Sequence, residues 1–183
     1  MIASHDPNTG NLLWHCTGPT AETTANTATA DDTRVYVSGG YPKPYTLMCV
    51  RADGTGDVTA THKEWTLDKG MPYVPSPIYH DGLLYIADDW GIATCLDAPT
   101  GKRLWQKRLG GDFTSSPVIC GNRLFVVNET GTVFALATGK KLEQLATSEL
   151  GENVMATPTI CGGHVYIRTA KHLICIAEVA GRN

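Results

Sequence analysis

The chain has 183 residues, 42% hydrophobic and 18% charged, a composition that fits a globular protein with enough length to bury a sizeable core. A formal charge of −3 and a sequence pI near 6.0 argue against a nucleic-acid partner, which would favour a basic face. No apolar run approaches the ~18 residues of a membrane span, and the opening MIASHDPNTG has neither the basic nor the apolar segment of an export signal.

The first predicted element, residues 5–17, is the turn DPNTG followed by an outer strand NLLWHCT, read as an orphan with no strands before it. A first repeat is predicted over 19–67, with strands RVYVS (34–38) and TLMCV (46–50) and a loosened turn that ends in Trp65. The second, 74–109, is the best preserved: LLYIA (83–87), the turn Asp88-Asp89-Trp90-Gly91, IATCL (92–96), the turn DAPTG and then KRLWQKRL (102–109). The third, 114–147, has RLFVV and TVFAL, and carries Leu145 near the position of the tryptophan. The fourth, 155–177, has HVYIR and HLICI and runs into EVAGRN without a fourth strand. Aligned on Ala28, Pro77, Pro117 and Pro158, the repeats are spaced by 49, 40 and 41 residues. A period of about 40 with four short strands predicts an all-β chain of about four β-propeller blades.

The turn between third and fourth strands has a local logic. Asp6 and Asp97 can accept hydrogen bonds from turn amides, and Thr9 and Thr100 precede Gly10 and Gly101, which can take the left-handed conformation that reverses the chain. Trp14 and Trp105 follow each glycine by four residues, Trp65 closes the loosened copy, and each offers a broad surface for burial against a neighbouring blade.

Blades carrying this D-x-x-T-G-x-x-x-W pattern resemble the PQQ-like β-propeller repeat, whose superfamily includes quinoprotein alcohol dehydrogenases and the outer-membrane assembly lipoprotein BamB. The match runs over essentially the whole chain. The stretches 54–65, 74–111 and 167–176 resemble the C-terminal half of BamB-like propellers, which are usually about twice this length and exported. The resemblance implies half or a fragment of an eight-bladed ring. Self-closure into four blades, pairing of two copies as a homodimer, and an open arc all remain compatible with the repeat count. It also implies a periplasmic or cell-envelope setting for the parent family and a bacterial scaffold as the closest functional analogy.

Strand order places Tyr41, Tyr45, Met71, Tyr73, Trp90, Phe113 and Arg168 on one face, as a candidate partner-binding surface of aromatic, Met and charged residues. No catalytic, cofactor-binding or metal-binding residue is assigned. A quinone enzyme would need PQQ, Ca2+ and an acidic base, and its family sites carry adjacent cysteines. The six cysteines here (16, 49, 95, 120, 161 and 175) include no adjacent pair and no CxxC, and their recurrence at repeat positions reads as packing. Asp53–Asp57 reads as a Gly-rich turn extension rather than a calcium loop, and His62 as a hydrogen-bonded structural residue. Arg108, Arg168 and His172 are candidates for an anionic ligand, and Asn128-Glu129-Thr130 is a formal glycosylation sequon. The expected role is a non-enzymatic scaffold or protein-interaction module. Its partner is another protein or the remaining half of the propeller. The alternative is a remnant or relative of a PQQ-dependent alcohol dehydrogenase.

Overall fold

Turns recur at every strand end of this chain, so no element runs long. The computed structural model describes residues 1–19 and 25–177; residues 20–24, within the first predicted blade, and 178–183, which include the terminal EVAGRN, lie outside the described residues. Strands β1 (Ile2–His5) and β2 (Leu12–Cys16) form an antiparallel pair. The outer strand predicted over 5–17 is therefore not an orphan: Ile2–His5 is its inner neighbour, in register from Ile2–Cys16 to His5–Leu12. Strand β1 is not announced by the sequence because IASH carries little of the apolar alternation that marks a strand.

The first complete blade comprises β3 (Thr29–Ala30), β4 (Arg34–Gly39) and β5 (Thr46–Arg51). After the short β6 (Gly56–Asp57) it is completed by β7 (Lys63–Leu67). The second is β8 (Ile78–His80), β9 (Leu83–Ala87), β10 (Ile92–Asp97) and β11 (Arg103–Arg108). The third is β12 (Val118–Cys120), β13 (Arg123–Val127), β14 (Thr132–Ala137) and β15 (Gln144–Glu149). Among the described residues the fourth has three strands, β16 (Thr159–Cys161), β17 (His164–Arg168) and β18 (Leu173–Ile176). Every pairing within these blades is antiparallel between sequence neighbours, apart from the step from β5 to β7 over β6. The described residues contain no helix.

Inner strands of adjacent blades are tied by the hydroxyl residues that precede each proline. Thr27 N donates to Ser76 Oγ (2.8 Å), Ser76 N to Ser116 Oγ (2.9 Å) and Ser116 N to Thr157 Oγ1 (3.0 Å). Each strand start has a backbone N–H without a ladder partner, and the next blade supplies the acceptor. The Ser-Pro and Thr-Pro recurrence in the sequence is therefore a circumferential hydrogen-bond chain.

The tryptophans tie the opposite ends of the blades. Trp14 Nε1 donates to Ala52 O (3.1 Å), Trp65 Nε1 to Ala98 O (3.1 Å) and Trp105 Nε1 to Gly139 O (3.0 Å). In each case the acceptor lies in the turn between the third and fourth strands of the following blade. Gly101 needs to be glycine twice over: its φ is +68°, and a Cβ there would lie 2.8 Å from the Trp65 ring. Asp6 accepts from the amides of Asn8 (2.8 Å) and Thr9 (3.0 Å), as its turn role requires.

The core lies between blades. Cys49 and Cys95 are fully buried there, and burial pushes both thiols up to about 12, so they act as neutral packing groups. Cys16 is buried as well, but Cys161 and Cys175 are exposed. Cys175 pairs across the sheet with Tyr166 as Cys49 pairs with Tyr36 and Cys95 with Tyr85. The packing pair recurs in the last sheet; the burial does not.

The turn extension in the first blade covers an edge. Residues Gly56–Asp57 pair in parallel with Trp14 and His15, Val58 N donates to His15 O (2.9 Å), and Thr17 N donates to Thr59 Oγ1 (2.9 Å). A strand edge that would otherwise present open backbone groups is thus occupied. His62 is structural, as expected, but its acidic partner is Asp53 (3.3 Å), while Asp57 faces His15 (3.9 Å).

Candidate functional site

Three loops from the first two blades converge on one face. The β4–β5 loop, residues 40–45, is longer than its counterparts 88–91, 128–131 and 169–172. It folds tightly because Gly40 packs its α-carbon against the Pro44 carbonyl, where a side chain would collide. The β7–β8 connection brings Asp68, Gly70 and Tyr73, and the β9–β10 turn brings Trp90.

One acid joins two of these loops, and its neighbour shapes the turn that carries Trp90. Asp89 accepts from the amides of Tyr73 (Oδ2, 2.6 Å) and Val74 (Oδ1, 3.0 Å), joining the β9–β10 turn to the connection before it. Asp88, only 2% exposed, accepts at Oδ1 from the amides of Trp90 (3.0 Å) and Ile92 (2.9 Å). Burial raises the Asp88 pKa from its ordinary value, opposed by those two amide bonds. Asn128 fills the same position in the third blade without a charge, its Oδ1 accepting from Thr132 N (2.8 Å) and its Nδ2 donating to Gly110 O (3.3 Å). With its side chain buried and both ends engaged, Asn128 is not an accessible glycosylation acceptor.

The result is a chain of four rings. Tyr41 meets Tyr73 at 5.2 Å between centroids, Tyr73 meets Tyr45 at 5.8 Å, and Tyr45 meets Trp90 at 5.4 Å. The last two pairs are stacked, at 17° and 26°. Tyr41 and Trp90, at the two ends, are 49% and 44% exposed. Between Trp90, Tyr45 and the 68–70 segment lies an open cleft of about 450 Å³, also lined by Lys43 and Pro44. Lys43 Nζ sits 5.5 Å from the Trp90 centroid and 5.9 Å from that of Tyr45.

Two residues assigned to this face belong to the interior. Met71 and Phe113 are each 1% exposed. Met71 packs with Tyr36 and Leu47, and Phe113 with the core of the second and third blades, edge-on to Phe134 at 6.4 Å. Loop membership put them on the face; their apolar side chains turn inward because the blade interfaces continue beneath the loops. Arg168 is exposed at the end of β17, two blades away from Trp90, and Arg108 is exposed at the end of β11. His172 Nδ1 meets Glu152 Oε1 at 2.6 Å, and Glu152 also accepts from Thr169 Oγ1 and Lys171 N, so this cluster ties the 150–156 connection to the last hairpin. Sequence reasoning did not assign Lys43, Pro44, Asp68, Gly70 and Asp89. The signal available for the first two was the longer YPKPY loop, which breaks the four-residue rule of the other blades.

The family described as outer membrane protein assembly factor BamB matches residues 1–172. The chain belongs to this family of PQQ-like repeat propellers. The BamB of Burkholderia pseudomallei is 30% identical over 107 residues, which is 57% of this chain and 28% of that protein. The crystal structure of BamB from Moraxella catarrhalis superposes with a TM-score of 0.73 at 15% identity, over 94% of this chain and 52% of that one. A quinohemoprotein alcohol dehydrogenase from Pseudomonas putida superposes with a TM-score of 0.63 at 15% identity, over 86% of this chain and 30% of that one. The chain thus spans about half the length of the solved BamB, and both superpositions establish the all-β propeller fold. Among the described residues, no group of three or more His, Cys, Asp or Glu could hold a metal ion, and the sequence has no adjacent cysteines.

Proposed function

We propose that the chain is a non-enzymatic scaffold of the bacterial cell envelope that captures a protein partner through the Tyr41–Tyr73–Tyr45–Trp90 face. The observation that carries this reading is the four-ring chain, with exposed aromatic ends, assembled by loops that break the repeat. Exposed aromatics beside an open cleft are the residue types that dominate binding energy at interfaces. The relatives are named as outer membrane protein assembly factors, which makes a component of that machinery the partner to seek. The remaining half of the ring, or a second copy of the chain, would be a structural partner at the ends of the arc.

A photo-crosslinking side chain at the exposed Lys69, beside the cleft, and a second at the exposed Lys107, test the face in envelope preparations. We expect an outer-membrane assembly protein cross-linked from position 69 and not from 107. Equal products from both positions, or none from position 69, would overturn the reading.

The superposition on a quinohemoprotein dehydrogenase supports a second reading, a relative of those enzymes. Its support is weaker, because Trp14, Trp65 and Trp105 are engaged in blade joints. Reconstitution with PQQ and Ca2+ followed by dye-linked alcohol oxidation decides it: turnover would replace the scaffold reading.

A further inference from the structure

The aromatic cleft already holds a cation of its own. Lys43 Nζ lies within about 6 Å of two ring centroids, the range in which a ring quadrupole attracts a positive charge. The stacked pair Tyr45–Trp90 presents those rings, and the acidic residue Asp68 lines the same cleft. Two aromatic faces and an acid around an open cleft form a site whose electrostatics favour an organic cation. We infer that the cleft binds an organic cation, a quaternary ammonium or the basic side chain of a partner, and that Lys43 is its internal competitor.

The argument is one of matched chemistry. An anion would lack attraction from the ring faces and would meet Asp68. A neutral apolar group would gain the ring contact but not the attraction of the ring quadrupoles and an acidic neighbour for positive charge. Lys43 is tethered to a loop held by the close approach of Gly40 to Pro44, so its ammonium is presented to the rings without a large search. It is also exposed, and can swing into water when another cation arrives. The inference rests on the reading of this face as a binding surface, and gives it a chemistry.

The test follows the Trp90 indole N–H by NMR in the full chain, assigned with Trp90→Phe. Choline is titrated against its uncharged isostere 3,3-dimethyl-1-butanol at matched ionic strength, and against a blocked Gly-Arg-Gly peptide. We expect choline or the arginine peptide, and not the alcohol, to shift the Trp90 signal. Removing the internal competitor in Lys43→Gln should tighten binding by about two- to fivefold, the value of an exposed cation–π contact. Trp90→Ala should lose the response, read from the Tyr45 ring signals, with an unchanged melting temperature as the fold control. Tighter binding of choline points to a free quaternary ammonium, and tighter binding of the peptide to a partner's side chain. An equal shift by the alcohol, no shift by either cation, or no gain in Lys43→Gln would overturn the inference. These outcomes are independent of the crosslinking result: a cation site with no protein cross-linked at position 69 defeats the partner reading alone, and the reverse defeats the cation site alone.

Discussion

Trp105 and Trp90 stand in the same blade and do opposite things. Trp105, on β11, is 8% exposed, packs against Tyr85 at 6.1 Å and donates its indole N–H to Gly139 in the next blade. Trp90, in the β9–β10 turn, is 44% exposed and meets Tyr45 and Lys43 across a cleft. The first belongs to a pattern that recurs at Trp14 and Trp65 and joins each blade to the next. The second has no counterpart in the other turns. Residues that repeat join one blade to the next, and residues that interrupt the repeat are not used in those joints.

The largest effect should come from breaking the joint. Trp105→Ala removes a buried ring and its hydrogen bond together, at a cost of about 3–5 kcal/mol. Leu145→Ala, at the related position of the third blade, should cost less than about 1 kcal/mol, because that side chain is exposed. Urea unfolding of the two variants measures the difference; equal losses would mean that the tryptophan is not the joint.

The turn glycines sharpen the same point. Gly10 and Gly101 have nearly the same φ, +73° and +68°, yet only Gly101 lies under a tryptophan ring. Gly10→Ala should therefore cost only the backbone strain of about 1 kcal/mol, and Gly101→Ala about 1–3 kcal/mol more, because Trp65 must shift. Denaturant midpoints of the two alanine variants, compared side by side, check this.

This contrast explains what could be seen in the sequence. The blades, their order and the joint residues were legible because D-x-x-T-G-x-x-x-W states a local geometry and repeats it. Ile2–His5 was not, since its strand is specified by pairing with Leu12–Cys16 rather than by its own pattern. At the candidate site, Tyr41, Tyr45, Tyr73 and Trp90 were legible by loop membership. Met71 and Phe113 were misplaced by the same rule, because membership in a loop does not say which way a side chain turns. Asp89 was invisible as a clamp, since its partners are backbone amides of another loop.

A smaller effect separates Asp88 from Asn128. The folded-state pKa of Asp88 is raised, so its titration favours the folded chain at low pH and loses that contribution as pH rises through the folded value. Asp88→Asn should stay within about 1 kcal/mol of the parent chain, since an amide oxygen can accept from Trp90 and Ile92 as Asn128 accepts from Thr132. Relative to the parent, the variant should gain stability between pH 4 and pH 7, the direction opposite to loss of a salt-bridged carboxylate. Unfolding curves at the two pH values test the sign; a relative loss at pH 7 would show that the charged form is the one the turn prefers.

Trp90→Ala should change stability least and function most. Its ring is nearly half exposed and rests on Tyr45 rather than on the core clusters, so truncation leaves no closed cavity and should cost at most about 1 kcal/mol. The main-chain bonds that shape its turn run from Trp90 and Ile92 amides to Asp88, and an alanine retains its amide. The turn should thus persist while the cleft loses a wall. Thermal melts of Trp90→Ala and Trp105→Ala, set beside crosslinking of a probe placed at Tyr41, separate the two roles. Trp90→Ala should melt close to the parent chain and lose the cross-link. Trp105→Ala should melt far lower and, while folded, keep it. If Trp90→Ala melted as low as Trp105→Ala, the cleft would be part of the joint, and the division between repeated and interrupting residues would fail at the place where it matters most.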